Sequence, residues 1–305
     1  MSAAGGPDIH VAGVVRNSAE GLVSRLEALE GVLKTATRQR IVFHIFENDS
    51  LDATRREVLR FQAGRPDVIV YLADGLVDRI PQREARIAHC RNTLLASIDA
   101  CVGADTDIDA IYLPIDLDLS IDWRELTTTL SEAIALVRNG TYDGLFPGSR
   151  PHYYDIHALR EPVWNPGDVW SAIAAARSRP TRHRVPDWLL RAWHVYARQY
   201  DFHDLNRFAR PIRVESAFGG FGVYRWAAIA GRHYAPSSHG ACEHVRFNLG
   251  LRVAIFQKMA IDAPAEHLGT KRIKRRRERL IVWALRRMDF LRWRLRRRAS
   301  LGPGS

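Results

Sequence analysis

The sequence predicts an α/β protein: a mixed, mainly parallel, Rossmann-like sheet flanked by helices, followed by a basic amphipathic C-terminal helix. Three observations carry this reading. Short β-branched runs alternate with helical patterns over the first 120 residues, as in a parallel sheet covered on both faces. The 305 residues are 46% hydrophobic and 26% charged, enough for a sizeable buried core. The net charge of +11 is concentrated: residues 271–305 hold 14 Lys and Arg against Glu278 and Asp289, and the rest of the chain sums to −1.

Taken in order, residues 9–17 form an apolar strand, followed by a helix with Leu22, Leu26, Leu29 and Leu33 at three- and four-residue spacing. A second strand spans 41–48 and a second helix 50–61. Residues 68–74 give a third strand, 83–100 a helix, and 110–119 a fourth strand that closes on acidic residues. Residues 125–139 continue as a helix. Residues 151–187, rich in Pro, Arg, Trp and His without clear period, read as a long surface excursion of the lid or partner-binding kind. Residues 210–226 return to strand-like alternation interrupted by glycines.

Cys90, Cys101 and Cys242 are too few and too far apart for a disulfide framework, and no CxxC pair points to zinc. The N-terminal residues lack the basic and apolar segments of a signal peptide, and no run of about 18 apolar residues suggests a membrane span. A cytoplasmic protein is expected. The electrically balanced body argues against nucleic acid as the main partner.

The chemistry concentrates where the strands end, because ligands of such sheets bind beyond the carboxyl ends of the strands. Asp116-Leu117-Asp118 ends the fourth strand, and alternation places both carboxylates on one side, about 7 Å apart. Such a pair can hold Mn2+ or Mg2+, which in turn holds phosphates; a bare DxD elsewhere is ordinarily a solvated loop. Glu47-Asn48-Asp49-Ser50, with Asp52 and Thr54, is a second polar cluster at the same edge. Capping the next helix uses one of these residues, which leaves others for base and ribose recognition. In the helix leading to the DxD strand, Arg86 and Arg91, with Asn92 adjacent, can neutralise a diphosphate rather than mark a solvated face.

Asp155 and His157 sit beside Tyr153-Tyr154, an aromatic and carboxylate combination that suits a sugar as well as it suits a partly buried strand. Glu243-His244 pairs a possible acceptor base with a possible third metal ligand, and His267 is a rival for the metal. Gly219-Gly220-Phe221-Gly222 lacks the context of a phosphate loop and reads as a closely approached strand that leaves space for a sugar ring.

The order VVRN, FENDSLDAT, RIAHCRNTLL, YLPIDLD, then YYDIHALR, a glycine-bearing strand and Cys242-Glu243, resembles GT-A type nucleotide-sugar glycosyltransferases, in particular the capsule-associated α-1,3-mannosyltransferase family, over roughly residues 9–250. The resemblance implies a GT-A fold and a metal-dependent transfer of a hexose from a nucleoside-diphosphate sugar, GDP-mannose favoured and a UDP-sugar possible, to a glycan or lipid-linked acceptor. It implies donor contacts from Arg16, Glu47, Asp49, Arg86, Arg91, Asn92 and Asp116, metal ligands Asp116, Asp118 and His244, and catalytic roles for Asp155 and Glu243. Residues 1–125 would then be the donor half, 126–270 the acceptor half and 271–305 a basic tail.

Two other readings rank lower. Nucleotidyl transfer would want a Gly-rich, basic loop after the first strand, and VVRNSAEG has none. A polyanion- or membrane-binding module rests on the tail alone. In that tail Leu280, Trp283, Ala284, Met288, Leu291 and Leu295 recur at helical spacing among arginines, as in a helix lying in an anionic membrane interface. The alternative is a terminal helix docked on the body. A peripheral position on the inner face of the membrane is the expectation.

Overall fold

The computed structural model describes residues 8–103, 109–119, 121–178, 185–235, 242–268, 273 and 275–301. The chain opens with β1 (Ile9–Val15), α1 (Leu22–Ala36), β2 (Ile41–Asn48), α2 (Thr54–Gln62), β3 (Val68–Ala73), the single turn α3 (Leu76–Arg79), α4 (Arg83–Val102), β4 (Ile111–Asp116) and α5 (Trp123–Arg138). It continues through β5 (Gly144–Arg150), α6 (Val169–Ser178), α7 (Asp187–His194), a 3-10 turn Tyr196–Arg198, α8 (Phe202–Leu205), β6 (Ile212–Val214), β7 (Val223–Arg225) and α9 (Trp226–Ile229). α10 (Glu243–Phe247), β8 (Val253–Asp262) and α11 (Arg276–Leu301) follow.

Among the described residues the strands form one eight-stranded sheet in the order β3-β2-β1-β4-β7-β5-β8-β6. Four of the seven neighbouring pairs are parallel, so the mixed, mainly parallel sheet flanked by helices that the sequence predicts is what forms. β1 and β2 are buried almost throughout, as strands covered on both faces must be. Leu22, Leu26 and Leu29 of α1 and Leu126, Leu130 and Ile134 of α5 pack with Val11, Phe43 and Leu113 on one face. Cys90, Leu94 and Ile98 of α4 pack with Ala12 and Phe46 on the other. Beneath α4, His10 and His44 meet ring to ring at 3.0 Å and His44 reaches Ser97 at 2.8 Å. Burial pushes their pKa values down, to about 4 for His10 and about 3 for His44, so the pair is held neutral.

Register brings the site together. Val15 pairs with Glu47 and Val14 with Asp116, so the ends of β1, β2 and β4 lie level at one edge. β7 runs antiparallel to both neighbours and brings the preceding glycine turn alongside: Asp116 N donates to Gly220 O at 2.8 Å and Gly222 N to Pro114 O at 3.0 Å. Gly220 has φ +93, and a Cβ there would lie 2.2 Å from Leu119 Cδ1. The close approach read from the glycines is therefore present, although 210–226 forms two three-residue strands with a turn between them.

Several elements differ from the sequence reading. The fourth strand stops at Asp116, and Leu117-Asp118 belong to a turn, because Leu117 folds back over Gly13, where a Cβ would be 2.5 Å from its Cδ1. The two carboxylates are thus not strand neighbours. The second helix starts at Thr54: residues 50–54 instead bond the loop after β1, Ser50 Oγ accepting from Asn17 N and Thr54 Oγ1 from Ser18 N. The supposed excursion at 151–187 contains α6 and buried Tyr153, Ile156, Leu159 and Trp164. Its period is unclear because its partners are distant: Trp164 stacks on Tyr200 at 4.6 Å and meets Trp293 of α11 at 5.5 Å.

α11 is docked on the body, the alternative considered for the tail. Val282, Phe290 and Trp293 are buried, Asp289 accepts from Tyr200 Oη at 2.8 Å, and Arg286 donates to Tyr196 O at 3.3 Å. Positions 271, 272 and 274 of the basic cluster lie outside the described residues. No described helix is long and apolar enough to cross a membrane.

Candidate active site

A cleft of about 660 Å³ opens at the carboxyl edge of β1, β2 and β4. It is lined by Val14 and Val15 at the end of β1 and Arg16 just after it, by Asn48, by Asp116 and Asp118, and by Arg86, Cys90 and Arg91 of α4. The opposite wall carries Tyr154, Asp155, His157, Trp170, Tyr196, Gln199, Phe218, Glu243, His244 and His267.

At the floor lies Arg91, buried, with both terminal nitrogens of its guanidinium engaged. Nη2 donates to Asp116 Oδ1 at 2.8 Å; Nη1 donates to Glu243 Oε1 and to His244 Nε2. Its carbon sits 4.8 Å over the Phe218 ring and 5.4 Å over Tyr234. Burial alone would lower its pKa, but Glu243 and Asp116 more than offset that, and the guanidinium is held charged. The same burial, with Arg91 adjacent, drives the His244 pKa well below its ordinary value. His244 is therefore a neutral acceptor at Nε2. Its Nδ1 has no partner among the described residues, and its ring stacks on Phe218 at 3.8 Å. Asp116 is pushed up to about 7 by loss of water around the carboxyl and by Asp118, Glu243 and Asp155, with Arg91 pulling the other way.

At the rim the charges are open. Asp118 is exposed in its turn. His267 is exposed on the facing wall, its ring stacked on Tyr154 at 5.6 Å, with Gln199 Nε2 donating to its carbonyl at 2.7 Å. Arg16 donates to Asp49 O at 3.2 Å and Arg86 to Ile80 O at 2.7 Å, and both line the cleft.

The donor set suits a hard divalent cation: Asp118 and the Asp116 oxygen not taken by Arg91 face one cleft, leaving further positions for phosphate and water oxygens. His244 fits less well, since its Nε2 already accepts from Arg91. His267 is the imidazole standing in the open cleft. Among the described residues no group of three or more His, Cys, Asp or Glu side chains is already gathered as a metal cage.

The sequence-derived candidates divide. Arg16, Arg86, Arg91, Asp116, Asp118, Asp155, Glu243 and His244 all line the cleft; Glu47, Asp49 and Asn92 do not. Glu47 is buried against Arg55 at 2.6 Å and accepts from Ser50 N at 3.0 Å. Asp49, at φ +49, accepts from the amides of Leu76 and Val77, capping α3 rather than the helix that follows it directly. Asn92 makes paired bonds to the backbone of Tyr234 at 2.8 and 2.7 Å, holding Tyr234 against α4. Asp155 accepts from Gly219 N at 2.8 Å and Ala158 N at 3.2 Å, tying the glycine turn to the aromatic segment. Sequence reasoning missed Trp170, Tyr196 and Gln199 as cleft residues. Trp170, half-exposed with Arg191 5.3 Å over its ring, was the one carrying a signal, a tryptophan in a polar, Pro-rich stretch.

No protein-family model matches the chain, and no curated protein matches it in sequence. Among solved structures it is similar to S. aureus TarS 1–349 (13% identity, TM-score 0.43, covering 84% of this chain and 60% of that one). It is also similar to the mannosyltransferase PcManGT from Pyrobaculum calidifontis in complex with GDP-Man and Mn2+ (15%, 0.47, 92% and 64%). A third likeness is to glucosyl-3-phosphoglycerate synthase from Mycobacterium tuberculosis in complex with UDP (14%, 0.42, 92% and 79%). The chain spans less than two thirds of the length of the first two, and at these identities what those proteins bind is a property of those proteins.

Proposed function

We propose that this chain is a metal-dependent, GT-A type glycosyltransferase that moves a hexose, mannose favoured, from a nucleoside-diphosphate sugar to a glycan or lipid-linked acceptor on the inner face of the membrane. The observation that carries the reading is the cleft itself. At the carboxyl edge of a mixed sheet it presents one acidic side chain anchored by a buried arginine, Asp116, and a second, open one two residues on, Asp118.

Residues 1–125 supply the donor side and residues 126–270 the acceptor side. Asp118 and the free oxygen of Asp116 hold Mn2+ or Mg2+, with His267 favoured over His244 as the imidazole ligand. When bound, the cation offsets the charge that builds on the departing diphosphate. Arg16 and Arg86, which both line the cleft, face the phosphates. Arg91 orients Asp116 and Glu243 together, so that one guanidinium sets the spacing between donor and acceptor groups. Gly220 lets Leu119 and Tyr154 pack close against the turn beside Asp116. Asp155 and Glu243 face the acceptor hydroxyl, and Trp170 and Tyr154 offer it apolar ring faces.

The experiment is a thermal-shift panel of GDP-, UDP- and dTDP-sugars with and without Mn2+, followed by measurement of nucleoside diphosphate release. Ligand at about 100 times Kd stabilises by about 2.7 kcal/mol, so one nucleotide should stand out, and only with metal. Absence of any nucleotide-dependent shift or release would remove the proposal.

A further inference from the structure

α11 has two apolar faces. The first, Val282, Leu285, Phe290 and Trp293, is the one docked on the body. The second, Leu280, Trp283, Met288, Leu291 and Leu295, points away from it, each residue 54–67% exposed. At 100° per residue these five fall in one stripe about 22 Å long on the outward side of the helix. Arg276, Arg287 and Arg294 lie along it between Trp283 and the other four, Arg287 paired with Asp204 of the body, and Arg292 and Arg296 border its other side. The helix has two acids: Asp289 is turned inward to Tyr200, and Glu278 lies at the edge. A docked helix has no structural need of a second apolar stripe.

We propose that this outward face is a docking surface for an anionic lipid bilayer. Charge complementarity selects the occupant: the basic excess of the whole chain sits on and just before this helix. Arginines bordering an apolar stripe can bury their stems while their heads reach lipid phosphates. A second copy of the same face would set arginine rows against arginine rows, and a nucleic acid would leave the leucines and the tryptophan without a partner. The helix lies on the surface and does not span, being too charged to cross. Its buried side donates from Arg286 to the carbonyl of Tyr196, a cleft residue, so the bilayer would lie about one helix diameter from the acceptor wall. The docking surface stands without the transferase reading. Together they make the acceptor a membrane-borne one.

The test uses the full chain with sedimenting vesicles of phosphatidylcholine, with or without phosphatidylserine as about a third of the lipid. Co-sedimentation is expected with the anionic vesicles only, and it should fade as salt shortens the Debye length from about 10 Å at 0.1 M to about 3 Å at 1 M. Arg292→Ser with Arg296→Ser should weaken binding by about 30-fold. Trp283→Glu with Leu291→Glu should abolish it. Both double variants alter exposed side chains and should keep the parent's melting temperature and any nucleotide-dependent shift, so failure of bilayer binding and failure of donor binding are separately visible. In the unaltered fold, brominated lipid should quench tryptophan emission, and Trp283→Phe should remove that quenching. Equal binding to neutral vesicles, or double variants that bind like the parent, would overturn the proposal. So would a dimer that the Glu variant dissolves while vesicles capture nothing.

Discussion

The floor and the rim of the cleft are built from the same residue types and do opposite things. At the floor, Arg91, Glu243 and His244 are buried and satisfy one another, and the half-exposed Asp116 is tied to them through Arg91. At the rim, Asp118 and His267 stand in the open on a turn and a short helical segment, with little of the fold depending on them. Removing a buried, paired charge disturbs the fold, whereas the exposed charges are open to a ligand at little cost to it. Chemistry should therefore fail first at the rim and folding first at the floor.

The strongest way to break this contrast is Arg91→Met. It leaves two carboxylates uncompensated and should cost about 3–5 kcal/mol, read as a lower denaturant midpoint. Adding Glu243→Leu should return part of that loss, and strictly additive effects would show that the two side chains do not form a unit.

Next comes pH, through the buried His10 and His44 pair below the floor. Both pKa values are depressed in the folded chain, so stability is whole above about 6.5 and is lost as pH falls towards about 4 and about 3. The His10 shift alone corresponds to roughly 3 kcal/mol. Urea titrations between pH 7 and 4 should show that decline, and replacing both residues by leucine should flatten it; an unchanged slope would place the acid sensitivity elsewhere.

The smallest effect on folding and the sharpest on chemistry belongs to Asp118→Asn. Stability should stay within about 0.5 kcal/mol, while metal-stimulated diphosphate release falls on the order of 100-fold. His267→Ala should lower the response to Mn2+ with the fold intact, whereas His244→Ala should lower the melting temperature. The reverse pattern would return the imidazole role to the floor.

What could be read in the sequence follows from where the packing partners lie. The β1 to α5 region was legible because its strands and helices bury faces with local period, and the end of β4 was legible because an apolar run stops on acids. That the run stops at Asp116 was not, since the cause is Leu117 folding over Gly13, about a hundred residues away in sequence. Arg91, Glu243 and His244 were each picked out, yet their union was invisible: α4 and α10 meet only in the fold. Asp49 and Asn92 have the chemistry of ligand groups and are engaged by backbone amides and carbonyls, which residue type does not distinguish. The tail looked like one apolar stripe and has two, because Trp293 and Phe290 find their partners at Tyr200 and Trp164.

That last contact orders events in time. The buried Trp164 and Tyr200 stack on each other, Tyr200 following the cleft residues Tyr196 and Gln199 in the chain, and the ring that completes their packing is Trp293, 129 and 93 positions later. During synthesis the β1 to α5 region can therefore condense well before this aromatic cluster, which stays incomplete until α11 has emerged. Because the helix that completes this cluster also bears the outward apolar stripe, closing of the cluster and presentation of that stripe become a single late step, and a nascent chain stalled before residue 293 would hold the β1 to α5 region without a finished aromatic cluster.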